Sequence, residues 1–455
     1  MGRLARWDVA LAAFAWLSWF GGHFAGPVSD VAIPAWVVTG IALGLLRPRF
    51  GLLVTILVVP YLGGAADPPQ AELLRVIPIL GAAVRVGVDR LRGERSLGAP
   101  GGGMVGLALV AACLFLLTAF TAYRQSSNAE QLVLAALPWL LGAPVAFLAT
   151  WITAAHDGEL PDGPIVDAVL VSTVVACLFA IVAWLGAPWT ASFAFPAGGG
   201  GRLAALGYPT PTGIGVAIAL PFAVVAARRH HLLAGIAVLT LGLATVVLSG
   251  SRGPLIALGV GGFVALAVSG RLSVRTILAG AGIAMVAAAA LVAVKYGTTQ
   301  QQILDALAAV NVGDAQRVQS WRDAIEITLR DPLAGGGWGS LSRVQESGSV
   351  GIAASHNMIL SGFADGGVPL GITFGGVVLY SVLTMWSNRR WIAPYAIAGA
   401  TTLLVTGLWD IPNLRSYGAV MGGLALGLVA RKLSQSAAAS GPTGHSRAAR
   451  MGGQG

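Results

Sequence analysis

Leu248-Ser249-Gly250-Ser251-Arg252-Gly253-Pro254-Leu255 separates two long apolar runs, at 232–249 and 254–269, with a few polar residues and one arginine. A buried, unpaired guanidinium costs several kcal/mol even on lenient insertion scales, so this arginine belongs at a membrane surface or in a polar cavity. Outward from it, the alternation of apolar run and short connection repeats along the chain. The 455 residues are 56% hydrophobic and 10% charged, with a mean hydropathy of +0.77, whereas soluble domains average about 25% charged. Many runs approach the roughly 20 apolar residues that cross a hydrocarbon core, and abundant small residues suit close helix packing. The fold class is therefore all-α, a polytopic membrane protein of about 12–14 transmembrane helices. One large extracytoplasmic loop, containing amphipathic helices, is expected between them.

The apolar runs fall at 7–25, 31–46, 50–64, 71–88, 104–122, 131–153, 165–186, 211–227, 232–249, 254–269, 276–294, 367–387, 391–409 and 416–430. Lys and Arg crowd alternate connections: Arg3 and Arg6, Arg47 and Arg49, Arg90, Arg92 and Arg95, Arg228 and Arg229, Arg271 and Arg275, Arg389 and Arg390, Arg431 and Lys432. By the positive-inside rule these turns are cytoplasmic, and both termini go with them. The first run reads as an uncleaved helix, because no clear small-residue cleavage site follows it. The runs at 50–64 and 71–88 are short or carry Arg75 and Arg85, so either crosses or lies at the interface. Dropping both preserves the parity of everything downstream.

Residues 1–294 thus hold the first transmembrane helices, with a short Gly- and Pro-rich outer loop at 187–211. Residues 295–366 form the large extracytoplasmic loop, 367–430 the C-terminal transmembrane helices and 431–455 a disordered cytoplasmic tail. Within the large loop, Val318, Trp321, Ile325 and Leu329 recur at helical spacing among Arg317, Arg322, Asp323 and Glu326. That spacing predicts an amphipathic helix over the bundle mouth, ended by Asp331-Pro332.

The net charge of +9 is scattered in pairs between apolar runs, without the concentrated patch that phosphate-backbone binding requires, so no nucleic-acid partner is expected. Cys113 and Cys177 lie inside apolar runs and imply no disulfide framework. No His/Cys/Asp/Glu cluster has metal-ligand spacing and no phosphate-cradling lysine loop occurs, so neither metal nor cofactor is expected.

The cytoplasmic pairs put Arg252 on the outer side, together with Arg124, Arg202, Arg317, Arg322, Arg330, Arg343, Arg415 and His356. Arginine is disfavoured in short outer loops, so Arg202, Arg252 and Arg415 call for a reason. Guanidiniums suit bidentate recognition of phosphate or carboxylate; snorkelling to headgroups is the plainer role for Arg252, and a solvated charge for Arg202 and Arg317. Arg322, Arg330 and Arg343 lie among acidic residues and read as structural. His356 stands where the outer loop descends into an apolar helix and is the only histidine of the large loop. It is either a satisfied interfacial residue or a proton acceptor for an attacking hydroxyl.

Taken in order, Arg202 with Gly207-Tyr208-Pro209-Thr210, Ser249-Gly250-Ser251-Arg252-Gly253, Arg317 with Trp321 and Ala324, Asp331-Pro332-Leu333-Ala334-Gly335-Gly336-Gly337-Trp338-Gly339, His356-Asn357 and Gly366-Gly367-Val368-Pro369-Leu370-Gly371 form a pattern. Over about 200–375 the chain resembles the O-antigen ligase and O-antigen polymerase superfamily of bacterial inner-membrane glycosyltransferases. The resemblance implies a cofactor-free, metal-independent, inverting transfer of glycan from undecaprenyl diphosphate at the periplasmic face of the cytoplasmic membrane. The acceptor would be a sugar hydroxyl of the lipid A core in a ligase, or another lipid-linked repeat unit in a polymerase. A protein hydroxyl would serve in a protein O-oligosaccharyltransferase. By the same resemblance His356 is the general base, and Arg252, Arg202 and Arg317 hold the diphosphate. The family usually has about 12 spans, so one early run is expected not to cross. A polysaccharide or lipid transporter is the rival from another class, but it commonly shows repeated halves and mid-membrane charges, which are not evident here.

Overall fold

The computed structural model describes residues 29–59, 77–85, 88–89, 92, 113, 116, 163–185, 203, 209–269, 282, 317–337, 340–341, 357–390, 392–409 and 416–439. Outside these residues lie the expected span at 7–25, nearly all of those at 104–122, 131–153 and 276–294, both termini, Arg202, Arg343, His356 and Arg415. The described residues are all-helical, with no strand among them.

Helices α1 (Ser29–Leu46), α2 (Pro48–Val58) and α3 (77–85) precede α4 (Gly163–Trp184). Then come α5 (Pro209–His230), α6 (Leu232–Leu248), α7 (Arg252–Ser269) and α8 (317–330). The last are α9 (Met358–Ser387), α10 (Pro394–Trp409) and α11 (Ser416–Ala439). By length and composition, Pro164–Val182, Thr212–His230 and Met358–Ser387 can cross a membrane, and several of the remaining helices are shorter and apolar.

Helix α5 is the centre, packed by α4, α6, α7, α10 and α11. Its residues Ile214 and Val216 to Leu220 are all buried, as expected of a helix that is apolar on every side. Helix α9 shows the opposite distribution: Ile372, Leu379, Leu383 and Trp386 are exposed, the surface a peripheral helix offers to lipid.

Glycines set the close approaches and reveal the helix directions. A Cβ on Gly242 would stand 2.4 Å from Leu220 Cδ1, and one on Gly213 2.5 Å from Ser249 Oγ, so α5 and α6 run antiparallel for their whole length. One on Gly422 would stand 2.5 Å from Leu403 Cδ1, and one on Gly399 2.4 Å from the Phe222 ring. Consequently the ends of α6 and α10 share one end of the bundle with the starts of α5, α7, α9 and α11. Arg228, Arg229, Arg389 and Arg390 mark the other.

Two expectations are refined. An apolar span was expected to start at 367; the helix instead starts at Met358 and breaks at Gly366 (φ −130°) and Gly367 (φ +67°), because a left-handed residue cannot continue a right-handed helix. In α8 the boundary at Asp331-Pro332 is as expected, but the buried face is not the large apolar one. Val318, Ile325 and Leu329 are exposed, whereas Ser320, Ala324 and Ile327 are buried. Ala324 and Ile327 pack against Leu341, Ala364 and Leu360.

Candidate functional site

The Leu248–Arg252 turn is tightly specified. Ser249 caps α6, its Oγ donates to Val246 O at 2.7 Å, and Gly250 takes φ +63°, the left-handed conformation that commonly ends a helix. Ser249 and Ser251 are buried, and Gly213 leaves the room for them. Arg252 then opens α7 with its side chain exposed, and Pro254 occupies the first turn, where a missing N–H costs nothing.

Arg202 lies outside the described residues, but its successor is placed. Leu203 is fully buried against Ala180, Trp184 and Leu248, and its N–H donates to Leu248 O at 2.9 Å. The chain just after Arg202 is therefore stitched to the last turn of α6, a short way before Arg252.

Helices α7 and α10 pack antiparallel along each other. Thr402 Oγ1 lies 3.4 Å from Ala257 O, and a Cβ on Gly261 would stand 2.6 Å from Ala398 O. Carrying that register to the start of α7 brings Arg252 level with Gly407. The same end of α10 receives α9: Asn357 Nδ2 donates to Leu408 O at 2.9 Å, and Met358 is the nearest neighbour of Gly407. His356 also lies outside the described residues, yet Asn357, its successor, is fixed here. Arg252 and the start of α9 thus flank one helix end.

Arg317, half-buried, heads α8. The far end of that helix leads into a turn clamped onto the break in α9. Asp331 Oδ1 accepts from Ala334 N–H at 3.1 Å, Gly336 N–H donates to Ala364 O at 2.8 Å, and Val368 N–H donates to Pro332 O at 2.7 Å. The buried Asp365 carboxylate accepts from Ser340 Oγ at 3.0 Å and from Ser340 N–H at 3.3 Å. Gly335 and Gly367, both at positive φ, face each other across this joint: a Cβ on Gly335 would stand 2.6 Å from Gly367 N. Arg330 pairs with Glu326 on the exposed side of α8, as a structural arginine would.

Asn357 and the Asp365–Ser340 pair are the residues that sequence reasoning overlooked as structural determinants. Asn immediately before an apolar run is a helix-start signal, and a carboxylate inside such a run is uncommon enough to demand a partner.

These elements define a polytopic helical membrane protein whose arginine-bearing helix start and capped helix entry both lie toward the end of α10, with a loop helix clamped onto α9. Residues 236–375 match the family model described as O-antigen ligase. The match takes in Ser249 to Gly253, Arg317, the Asp331–Gly339 segment, His356-Asn357 and the Gly366–Gly371 break, and leaves Arg202 outside. It supports the superfamily read from the motifs, one of bacterial inner-membrane enzymes of the glycan ligase or polymerase type. A comparison with curated proteins gave no match.

Proposed function

We propose that the protein is an O-antigen ligase-like glycosyltransferase that moves a glycan from undecaprenyl diphosphate to a sugar hydroxyl of the lipid A core at the outer face of the cytoplasmic membrane. His356 takes the proton of the acceptor hydroxyl as its oxygen attacks the anomeric carbon from the side opposite the diphosphate. The bond from that carbon to the diphosphate oxygen breaks, the configuration inverts, and undecaprenyl diphosphate leaves. Arg252, Arg202 and Arg317 hold the diphosphate and offset the charge that develops on it, the kind of interaction that lowers a barrier only when the cations are already in place. A positioned base contributes typically about 100- to 10,000-fold.

The observations that carry this reading are the antiparallel packing of α7, headed by Arg252, along α10 and the hydrogen bond from Asn357, at the start of α9, to the end of α10. The stitching of Leu203 to Leu248 supports a role for Arg202 beside them. Arg228, Arg229, Arg389 and Arg390 cluster at the opposite bundle end, which favours the cytoplasm for that end and the periplasm for the site. A lipid-linked donor keeps its tail in the bilayer while its headgroup reacts, so a groove between helices at the outer interface suits it.

The test is incubation of purified, reconstituted protein with undecaprenyl diphosphate-linked glycan and, in turn, lipid A core, more lipid-linked glycan and an acceptor protein. Transfer to lipid A core is the expected result. A ladder of longer lipid-linked glycans would identify a polymerase instead, glycosylated protein an oligosaccharyltransferase, and no transfer to any acceptor would contradict the proposal.

A further inference from the structure

We infer that Asn357 is a positioning residue for the transfer, whose one carboxamide ties the entry of α9, next in sequence to the proposed base, to the end of α10. The inference rests on the proposed role of His356.

The geometry uses both ends of the amide. Asn357 Oδ1 accepts from Ile359 N–H at 2.9 Å and from Leu360 N–H at 3.0 Å, first-turn donors that have no partner within α9. Nδ2 donates to Leu408 O, a last-turn carbonyl of α10 that equally has no partner within its own helix. The residue itself is extended, φ −148° and ψ 117°, the backbone conformation of a helix N-cap. The positive end of one helix dipole meets the negative end of another at this point, so both hydrogen bonds run with the local field.

Residue chemistry explains why asparagine stands here. Serine and aspartate cap a helix about as well. Serine, however, cannot reach across to Leu408, and aspartate has no donor and would set a negative charge against a carbonyl. Only a side chain with an acceptor and a donor on one planar group serves both helices. The first segment of α9 is also pinned at its other end, by Ser340 on Asp365 and Gly336 on Ala364, so it cannot rock about the cap. Loss of the Leu408 contact therefore releases the entry of α9 alone. Because Arg252 is level with Gly407 on the same helix end, a shift of the α9 entry is a shift relative to the start of α7.

The test compares Asn357→Ser and Asn357→Asp with wild type in the full-length, reconstituted protein, using undecaprenyl diphosphate-linked glycan as donor. A misplacement of about 1 Å costs about 100-fold in rate, so kcat should fall by tens to about 100-fold. Donor KM should stay within about twofold and the thermal midpoint should hold, since the cap is retained in both variants. Two results would overturn the inference: kcat within about twofold of wild type in both variants, or a loss of rate matched by loss of folded protein in both. His356→Ala belongs in the same series. Retained transfer there would remove the proposed base itself, whereas abolished transfer with unimpaired Asn357 variants would remove only the positioning role.

Discussion

The helices around α5 and the clamp between the loop helix α8 and the break in α9 are joined by different means. In the bundle, Gly242 faces Leu220, Gly215 faces Tyr417 and Gly399 faces Phe222, so the tight contacts of α5 itself are backbone against side chain, although Gly261 of α7 meets the backbone at Ala398 O of α10. In the clamp, a Cβ on Gly367 would stand 2.4 Å from Pro332 O and one on Gly335 2.6 Å from Ala364 O, backbone against backbone. A side chain can change rotamer and a helix can shift slightly, whereas a carbonyl that must also accept a hydrogen bond has little freedom. The bundle therefore distributes its specificity over many residues, and the clamp concentrates it in a few.

Gly367→Ala should break that contrast most visibly. Its φ of +67° with ψ −163° is a region essentially restricted to glycine, and the added methyl also meets Pro332 O. Strain of order 1–3 kcal/mol plus loss of the Val368 hydrogen bond follows, measurable as a lower thermal midpoint in detergent and at least tenfold slower transfer. Gly375 and Gly376, on the same helix with open space around them, are the controls, and alanine there should be tolerated. Equal damage at Gly367 and Gly375 would show that the clamp is not special.

Asp365→Asn comes next. It keeps the side-chain shape but exchanges a buried acceptor for an amide, and the two hydrogen bonds from Ser340 weaken. About 1–3 kcal/mol is the usual penalty for a buried polar group left without its partner. Denaturation in mild detergent would show it, and Ser340→Ala should produce a similar loss. Gly399→Ala tests the bundle: the Phe222 ring must give way, at a cost of about 1–3 kcal/mol for overpacking, with transfer retained at a substantial level. A greater loss of transfer there than at Gly367 would reverse the ranking of the two regions. Arg330→Ala should change stability least, since exposed pairs spaced like Glu326 and Arg330 contribute about 0.3–0.5 kcal/mol.

The same contrast explains what the sequence revealed. Helices α5, α6 and α7 were legible because Arg228-Arg229, Gly250 and Pro254 punctuate long apolar runs, and apolar length is the main requirement of a bundle helix in lipid. The end of α8 was legible for a similar reason, through Asp331-Pro332. Its orientation was not: a hydrophobic pattern points to Val318, Ile325 and Leu329, yet the docked face carries Ser320, Ala324 and Ile327. The break at Gly366-Gly367 was hidden because apolar residues continue on both sides and the pattern reads as a span that starts there. At the site, Arg252 announces itself by the cost of a charge between apolar runs. Asn357 gives no such sign, because its value lies in reaching Leu408, a residue distant in sequence.

Single-turnover transfer from undecaprenyl diphosphate-linked glycan by His356→Ala and by Arg252→Lys, each with donor binding measured in parallel, tests the proposed chemistry most directly. His356→Ala should lose transfer by at least about 100-fold while still binding donor, and Arg252→Lys should lose both rate and donor affinity, because an ammonium cannot make the bidentate contact. Near-normal transfer by His356→Ala would contradict the proposed base, and indifference to Arg252→Lys would reduce that arginine to a snorkelling charge at the membrane surface.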